Sequence, residues 1–329
     1  MRALVLAPFS DSALKELGTI CSVRHESWTE TNNIYDPEEL GQRLSREDIC
    51  VLVVEADFLF EELFQQAKPL KFVGLCRNSL HHVDIDAATE HGVVVVNTPS
   101  RNAQSVAEHT LGLMLSLAKG IPSAHTYVKA GQWQQPTEPY VNMRGIELEG
   151  KVAGIIGLGF IGRKVAGLCA AFGMKVLGLD PYVDASKLSV EMVSLDDLLR
   201  RADFVTLHAA PTEETQNMLN ERSLGLLKPT AYVINTADAS IIDYNALASC
   251  LDQRRIAGAA LDVFETHPIA PNSPLLKLNN VVLTPHIGGA TDGTIERQSR
   301  MILDDLKRFL KSEKPLHLAN PKVWGKHGR

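Results

Sequence analysis

Short runs of consecutive apolar residues recur along this chain, each closed by polar or turn-forming positions. In the first hundred residues they fall at 3–6, 51–54, 72–75 and 93–96. A four-residue run of this kind, rich in Val and Leu, marks a strand buried on both faces, as in a parallel sheet. Between them lie helix-like segments such as 11–17 and 61–66, and the alternation predicts an α/β layer architecture. A longer helix is expected from Ala103 to about Gly120, with Val106, Leu113 and Leu117 on one face and Gly120 and Pro122 ending it. Residues 125–150 are polar and dotted with Gly131, Trp133, Pro136 and Pro139, and read as an arm or loop. A second strand–helix series opens at 151–156 and continues through strands at 175–179, 204–207, 231–234, 258–261 and 281–283. A final helix, roughly 291–311, leads into a polar tail.

A chain of 329 residues accommodates two domains with separate cores. Net charge is −6 with no Lys/Arg run, which counts against nucleic acid as a partner, since phosphate binding calls for a basic stripe. The five cysteines (Cys21, Cys50, Cys76, Cys169 and Cys250) are scattered and form no CxxC, so neither a zinc knuckle nor a disulfide framework is expected. The apolar opening, Met1 to Pro8, is too short for a signal segment, and no run approaches the roughly 18 apolar residues of a membrane span. A reduced, soluble, cytoplasmic protein without membrane contact is the expectation.

The chemistry begins at Gly157-Leu158-Gly159-Phe160-Ile161-Gly162, a GxGxxG directly after an expected strand and opening a helical stretch at 163–172. The string alone is weak; strand before and helix after supply the context it requires. Glycines allow the tight turn and close approach of a pyrophosphate, and the helix N-terminus offers free N–H groups and partial positive charge. The next strand ends in Asp180, 18 residues past Gly162, placed to accept from a ribose 2′-hydroxyl and to repel a 2′-phosphate. NAD is therefore expected rather than NADP. The competing reading is a glycine-rich turn without a ligand, and four features in register count against it.

With these residues placed, the chain resembles the D-isomer-specific 2-hydroxyacid dehydrogenases, the group that includes phosphoglycerate dehydrogenase. The resemblance runs from about residue 50 to Pro321. Beside the glycine string it rests on Asn97-Thr98-Pro99, Val106-Ala107-Glu108, Leu207-His208, Asn235-Thr236-Ala237, Ala260-Leu261-Asp262-Val263-Phe264-Glu265 and Thr284-Pro285-His286-Ile287-Gly288-Gly289. It implies two doubly wound parallel-sheet domains: a Rossmann-type cofactor domain, 101–287, inserted into a discontinuous flavodoxin-like substrate domain, 1–100 and 288–329. A cleft between them, a homodimer formed largely through the cofactor domains, and a small-molecule substrate are implied too. By the same resemblance His286 is the general acid/base and Asp262 the acid near the nicotinamide carboxamide. Thr236, Ala237 and Gly288 line the cofactor with Gly157, Gly159, Phe160, Ile161, Gly162 and Asp180, and His208, Pro211 and Thr212 approach the dinucleotide.

Two positions depart from the family pattern. The arginine that clamps the substrate carboxylate corresponds to Asp238, and the glutamate that orients the catalytic histidine corresponds to His267. Lesser departures are Ala239-Ser240 for a glycine pair, Tyr244 for an acid, and Asn78-Ser79-Leu80-His81-His82 in a loop that is usually glycine-rich. A guanidinium neutralises a carboxylate and fixes its plane, whereas Asp238 repels it. A carboxylate there suits hydroxyls or a cation, hence a neutral polyol, sugar-like or amine-bearing compound. Asp238 as an inert relic stays equally open, as does a solvent-exposed His267. Pairing of Asp238 with His267 or His286 is one expectation, and Glu265 as the orienting group is another. Arg77, Asn78 and Ser79 are candidates for substrate contact. His81 and His82 lack the spacing of a known metal site, so no metal is expected. His109 reads as packing. Three functions follow: an NAD-dependent oxidoreductase acting on a small hydroxy or oxo compound; an NAD-binding pseudo-enzyme with a regulatory role; and a lyase or epimerase using resident NAD for transient oxidation.

Overall fold

A computed structural model describes residues 1–184 and 190–327. The chain divides into two compact units: Met1–Asn102 with the segment from Thr291, and Ala103–Ala290. The first holds five strands, β1 (Arg2–Val5), β2 (Ser22–His25), β3 (Val51–Val54), β4 (Phe72–Leu75) and β5 (Val94–Asn97). All pairs are parallel, in the order β2-β1-β3-β4-β5. This is the flavodoxin-like winding. Successive side chains of a strand point to opposite faces, so Leu52, Val54, Val73 and Leu75 feed one core and Val51, Val53, Phe72 and Val94 the other. Helix Asp292–Leu310 covers the second face through Ile302, Leu303 and Leu306.

The second unit holds seven parallel strands: β6 (Val152–Ile156), β7 (Lys175–Leu179), β8 (Glu191–Met192), β9 (Phe204–Leu207), β10 (Tyr232–Asn235), β11 (Gly258–Leu261) and β12 (Val281–Leu283). Their order, β12-β11-β10-β9-β6-β7-β8, reverses direction between β6 and β9. That is the Rossmann pattern, with its topological switch point beside β6. Helices Ala103–Lys119 and Phe160–Ala171 cover one face through Met114, Val165 and Cys169; Leu198, Leu224, Leu247 and Leu251 cover the other. Among the described residues no helix is long and apolar enough to cross a membrane.

Several elements differ from the sequence reading. Residues 125–150 are not simply a loop: Gly120, at φ +62°, turns the chain into helix Ile121–Lys129, and Glu138–Asn142 is helical too. Pro122 and Pro139 sit in the first turns, where a missing N–H costs nothing. Neither helix buries a residue, so no apolar stripe announced them. The polar tail contains helix Pro321–His327, and Val323 is buried in the core beside Val94 and Val96. Asn320 anchors this turn, donating from Nδ2 to the Val93 carbonyl (2.8 Å) and accepting from the Val95 N–H (2.9 Å). The helix expected at 163–172 begins three residues earlier, at Phe160.

Candidate active site

Because every pair in the second unit's sheet is parallel, the loops after β6, β7, β9, β10, β11 and β12 all emerge at its carboxyl edge. Ligands of open α/β sheets bind along that edge, at the switch point. The loop after β6 is the glycine string. Gly157 holds φ +90°, and a Cβ on it would collide with the backbone of His208 and Ala209. A Cβ on Gly162 would land on the Gly157 carbonyl oxygen. Gly159 is different: among the described residues nothing lies within 4 Å of where its Cβ would be. It is the N-cap of helix Phe160–Ala171 and provides no side-chain cap, so the first-turn N–H groups stay available. Phe160 is exposed, and Ile161 packs on the core below.

A cavity of about 440 Å³ opens beside this loop, lined by Gly157, Gly159, Asp180, His208, Thr212 and Met218 among others. Asp180 follows β7 and accepts from the Leu158 N–H through Oδ2 (2.7 Å) and from the Tyr182 N–H through Oδ1 (2.9 Å). Its charge therefore also fixes the glycine loop, while each oxygen keeps a further lone pair. His208 bonds to the Thr206 hydroxyl through Nε2 (2.9 Å), and its buried Nδ1 has no protein partner among the described residues. Burial pushes this imidazole down to about 3, so it is neutral at working pH. Pro211 and Thr212 are exposed in the same loop, where the Thr212 N–H donates to the Thr215 hydroxyl (2.8 Å).

A second cavity, of about 580 Å³, lies at the ends of β10, β11 and β12, and brings together Ala237, Asp238, Glu265, His267 and His286. His286 sits at φ +56° on a loop held by one carboxylate. Asp262, 1% exposed, accepts from the Thr284 hydroxyl (2.6 Å) and the N–H groups of Ile287 (3.0 Å) and Gly288 (2.8 Å). His109 Nε2 lies 3.4 Å from the same carboxylate. Burial opposes the charge, but hydrogen bonds from His109, Thr284, Ile287 and Gly288 prevail and hold Asp262 at about 2. The Gly288 carbonyl accepts from the Ser105 hydroxyl (2.6 Å). His286 Nδ1 stands 3.1 Å from His267 Nε2, so the two imidazoles share a hydrogen bond.

Asp238 behaves otherwise than expected. Its Oδ1 accepts from the Ser240 N–H (2.9 Å) and hydroxyl (2.6 Å), capping the short turn Ala239–Ile241. Among the described residues no hydrogen bond or ion pair joins Asp238, or Glu265, to either histidine. The expected Asp–His pair is replaced by the His–His pair, because the cap turns one Asp238 oxygen towards its own turn. Asn235 braces the segment, donating to the Asp238 carbonyl (2.8 Å) and accepting from the Ala237 N–H (3.0 Å). The Thr236 hydroxyl bonds to Thr110 (3.0 Å) and is buried against helix Ala103–Lys119.

Comparison with known proteins places the scaffold. A family model described as the D-isomer specific 2-hydroxyacid dehydrogenase NAD binding domain matches residues 111–288. This chain belongs to the D-isomer-specific 2-hydroxyacid dehydrogenase family. D-3-phosphoglycerate dehydrogenase of Methanocaldococcus jannaschii is 36% identical over 97% of this chain, which spans only 59% of that enzyme's length. Glyoxylate reductase of Thermofilum pendens is 37% identical over 95% of this chain and 91% of the enzyme. The crystal structure of the TT0316 protein from Thermus thermophilus aligns with a TM-score of 0.85 at 32% identity, covering 97% of this chain and all of that one.

In this family member the first unit carries the remaining candidates at the carboxyl edge of its own sheet. Arg77 follows β4; its Nη1 reaches His82 Nε2 at 3.5 Å, and its buried Nε has no protein partner among the described residues. Burial lowers the basicity of this guanidinium, against the pull of Glu55. Asn78 contributes its carbonyl to Asn97 Nδ2 (2.9 Å), and the Ser79 hydroxyl accepts from the His81 N–H (3.4 Å). The sequence reading missed Ser105, His109 and Thr284 as parts of the His286 brace. His109, expected only to pack, lies far along the chain from Asp262, and no spacing rule connects them.

Proposed function

We propose that this chain is an NAD-dependent oxidoreductase that moves a hydride between the nicotinamide and a small hydroxy or oxo compound other than a simple 2-hydroxy acid. The observation that carries this reading is the cavity in which Asp238 accompanies His286 and His267, with no arginine among the described residues that line it. A carboxylate in a half-buried cleft repels a second carboxylate by about 4 kcal/mol at 4 Å and an effective dielectric constant near 20. It accepts hydrogen bonds from hydroxyls and attracts an ammonium group, which selects a polyol, sugar-like or amine-bearing substrate.

The residues fit the cofactor. Space above Gly159, the uncapped helix start and the unpartnered His208 Nδ1 support a dinucleotide along Gly157, Gly159, Phe160, Ile161 and Gly162. We assign Asp180 to the ribose hydroxyls and hence to a preference for NAD. His208, Pro211, Thr212, Thr236, Ala237, Asp262 and Gly288 shape the rest of that channel. The bound nicotinamide supplies the redox chemistry. His286 takes the hydroxyl proton at Nε2 in oxidation and returns it in reduction. Asp262 acts through the loop, fixing where His286 stands. In the first unit we assign Arg77, Asn78 and Ser79 to substrate recognition. Exposed Ile121, Val128, Trp133, Tyr140 and Val141 support burial against a second copy, hence a homodimer. Five free thiols fit a reducing cytoplasm.

The test is NADH absorbance with purified protein and NAD against polyols, amino alcohols, sugar acids and simple 2-hydroxy acids. Accumulating NADH with a polyol or amino alcohol is the expected result. Brisk activity on simple 2-hydroxy acids overturns the reading of Asp238. Turnover without net NADH, or tight NAD binding without any turnover, overturns the net-redox reading. His286→Ala should abolish turnover and leave NAD affinity nearly unchanged.

A further inference from the structure

We infer that His267 is the outer half of a two-ring proton relay, carrying the proton taken up by His286 to solvent. This deepens the proposed function and rests on His286 being the acid–base group, whatever the substrate class.

The geometry is specific to two imidazoles. His286 Nδ1 and His267 Nε2 are 3.1 Å apart, with ring centroids at 5.1 Å and planes at 47°. An N–H···N bond holds one proton between two nitrogens, so one ring must present a bare nitrogen to the other. Both rings are exposed, and His267 Nδ1 has no protein partner among the described residues. The carboxylates lining the cavity, Asp238 and Glu265, bond to neither ring, so among the described residues an imidazolium at His286 has no ion-pair partner to retain its charge.

The steps balance. At the start His286 carries its proton on Nδ1, donated to His267 Nε2, and its own Nε2 is bare. When the carbinol is oxidised, one hydride leaves the carbon for the nicotinamide and the hydroxyl proton passes to His286 Nε2. The bridging proton then moves from Nδ1 to His267 Nε2, and the proton on His267 Nδ1 leaves to water. One proton enters at His286 and one leaves at His267; both rings end neutral with reversed tautomers, reset by exchange with water once product departs. A carboxylate at position 267 would orient His286 and stabilise its charge without handing on a proton in this way.

Three variants separate relay from mere positioning, using NADH formation with the fastest substrate of the panel. His267→Gln offers a carbonyl that can still hold the Nδ1–H but cannot pass the proton on. His267→Ala leaves room for added imidazole. The relay predicts that both lose about 100-fold in kcat, the low end for acid–base catalysis. It predicts that imidazole restores the Ala variant about tenfold or more, and that neither variant changes NAD affinity. A Gln variant at near wild-type rate, or an Ala variant that imidazole does not rescue, overturns the relay while leaving His286 in place. Undiminished turnover in His286→Ala instead overturns the reading on which the relay rests.

Discussion

Replacing Asp262 with asparagine keeps its shape and removes the charge on which the His286 loop converges. Oδ1 now serves Thr284 at 2.6 Å and Ile287 at 3.0 Å, and Oδ2 serves Gly288 at 2.8 Å. An amide has one oxygen, so either rotamer turns an NH₂ towards a buried N–H or hydroxyl donor. Held at about 2 rather than the ordinary 3.8, the carboxylate contributes about 2.5 kcal/mol at neutral pH, at ~1.4 kcal/mol per tenfold change in proton affinity. Losing a hydrogen bond to a charged group costs about 1.5–3 kcal/mol by mutational experience, the same range reached independently. We expect Asp262→Asn to destabilise the second unit by about 3 kcal/mol, a fall of about 6–12 °C in its melting temperature. Calorimetry at neutral pH measures this, and amide exchange of residues 284–290 locates it. Because the folded carboxylate is more acidic than the unfolded one, its contribution is complete above the unfolded value and disappears as pH falls through about 2. The gap between wild type and variant should therefore narrow between pH 4 and pH 2. A melting shift under about 2 °C, or a gap that ignores pH, would refute the brace.

Two further tests address the cofactor. Gly159→Ala should leave the fold intact yet weaken NAD by about tenfold or more, whereas Gly162→Ala should distort the loop and lower thermal stability as well; titration of NAD beside a melting curve separates the two. Asp180→Ala removes the charge proposed to oppose a 2′-phosphate and one anchor of the glycine loop. Dissociation constants should rise for NAD and fall for NADP, narrowing their ratio.

Strands buried on both faces were legible because an unbroken run of apolar or small residues fills them: β3, VLVV, is buried at every position. Two edge strands, β2 and β8, were not, although the edges β5 and β12 were. β2 reads SVRH and leaves Ser22 and Arg24 exposed, and β8 is two residues long. The glycine string was legible as a motif because its constraint is local, a turn in which a Cβ on Gly157 or Gly162 meets backbone. What stayed hidden was which oxygen serves which donor. Asp262 is spent on a loop more than twenty residues later, and one Asp238 oxygen on its own turn, and neither commitment leaves a spacing signature. The His286–His267 bond was out of reach for the same reason: the histidines sit on loops after different strands, and only the sheet register brings them together.

Whether Asp238 sets the substrate class is read from kcat/KM for a small polyol and its matching 2-hydroxy acid in wild type and Asp238→Arg. Wild type should prefer the polyol by about a hundredfold or more, since a carboxylate facing Asp238 costs several kcal/mol. The arginine variant should reverse the preference. A wild-type enzyme faster on the 2-hydroxy acid, with a preference that the substitution does not move, would contradict this role of Asp238.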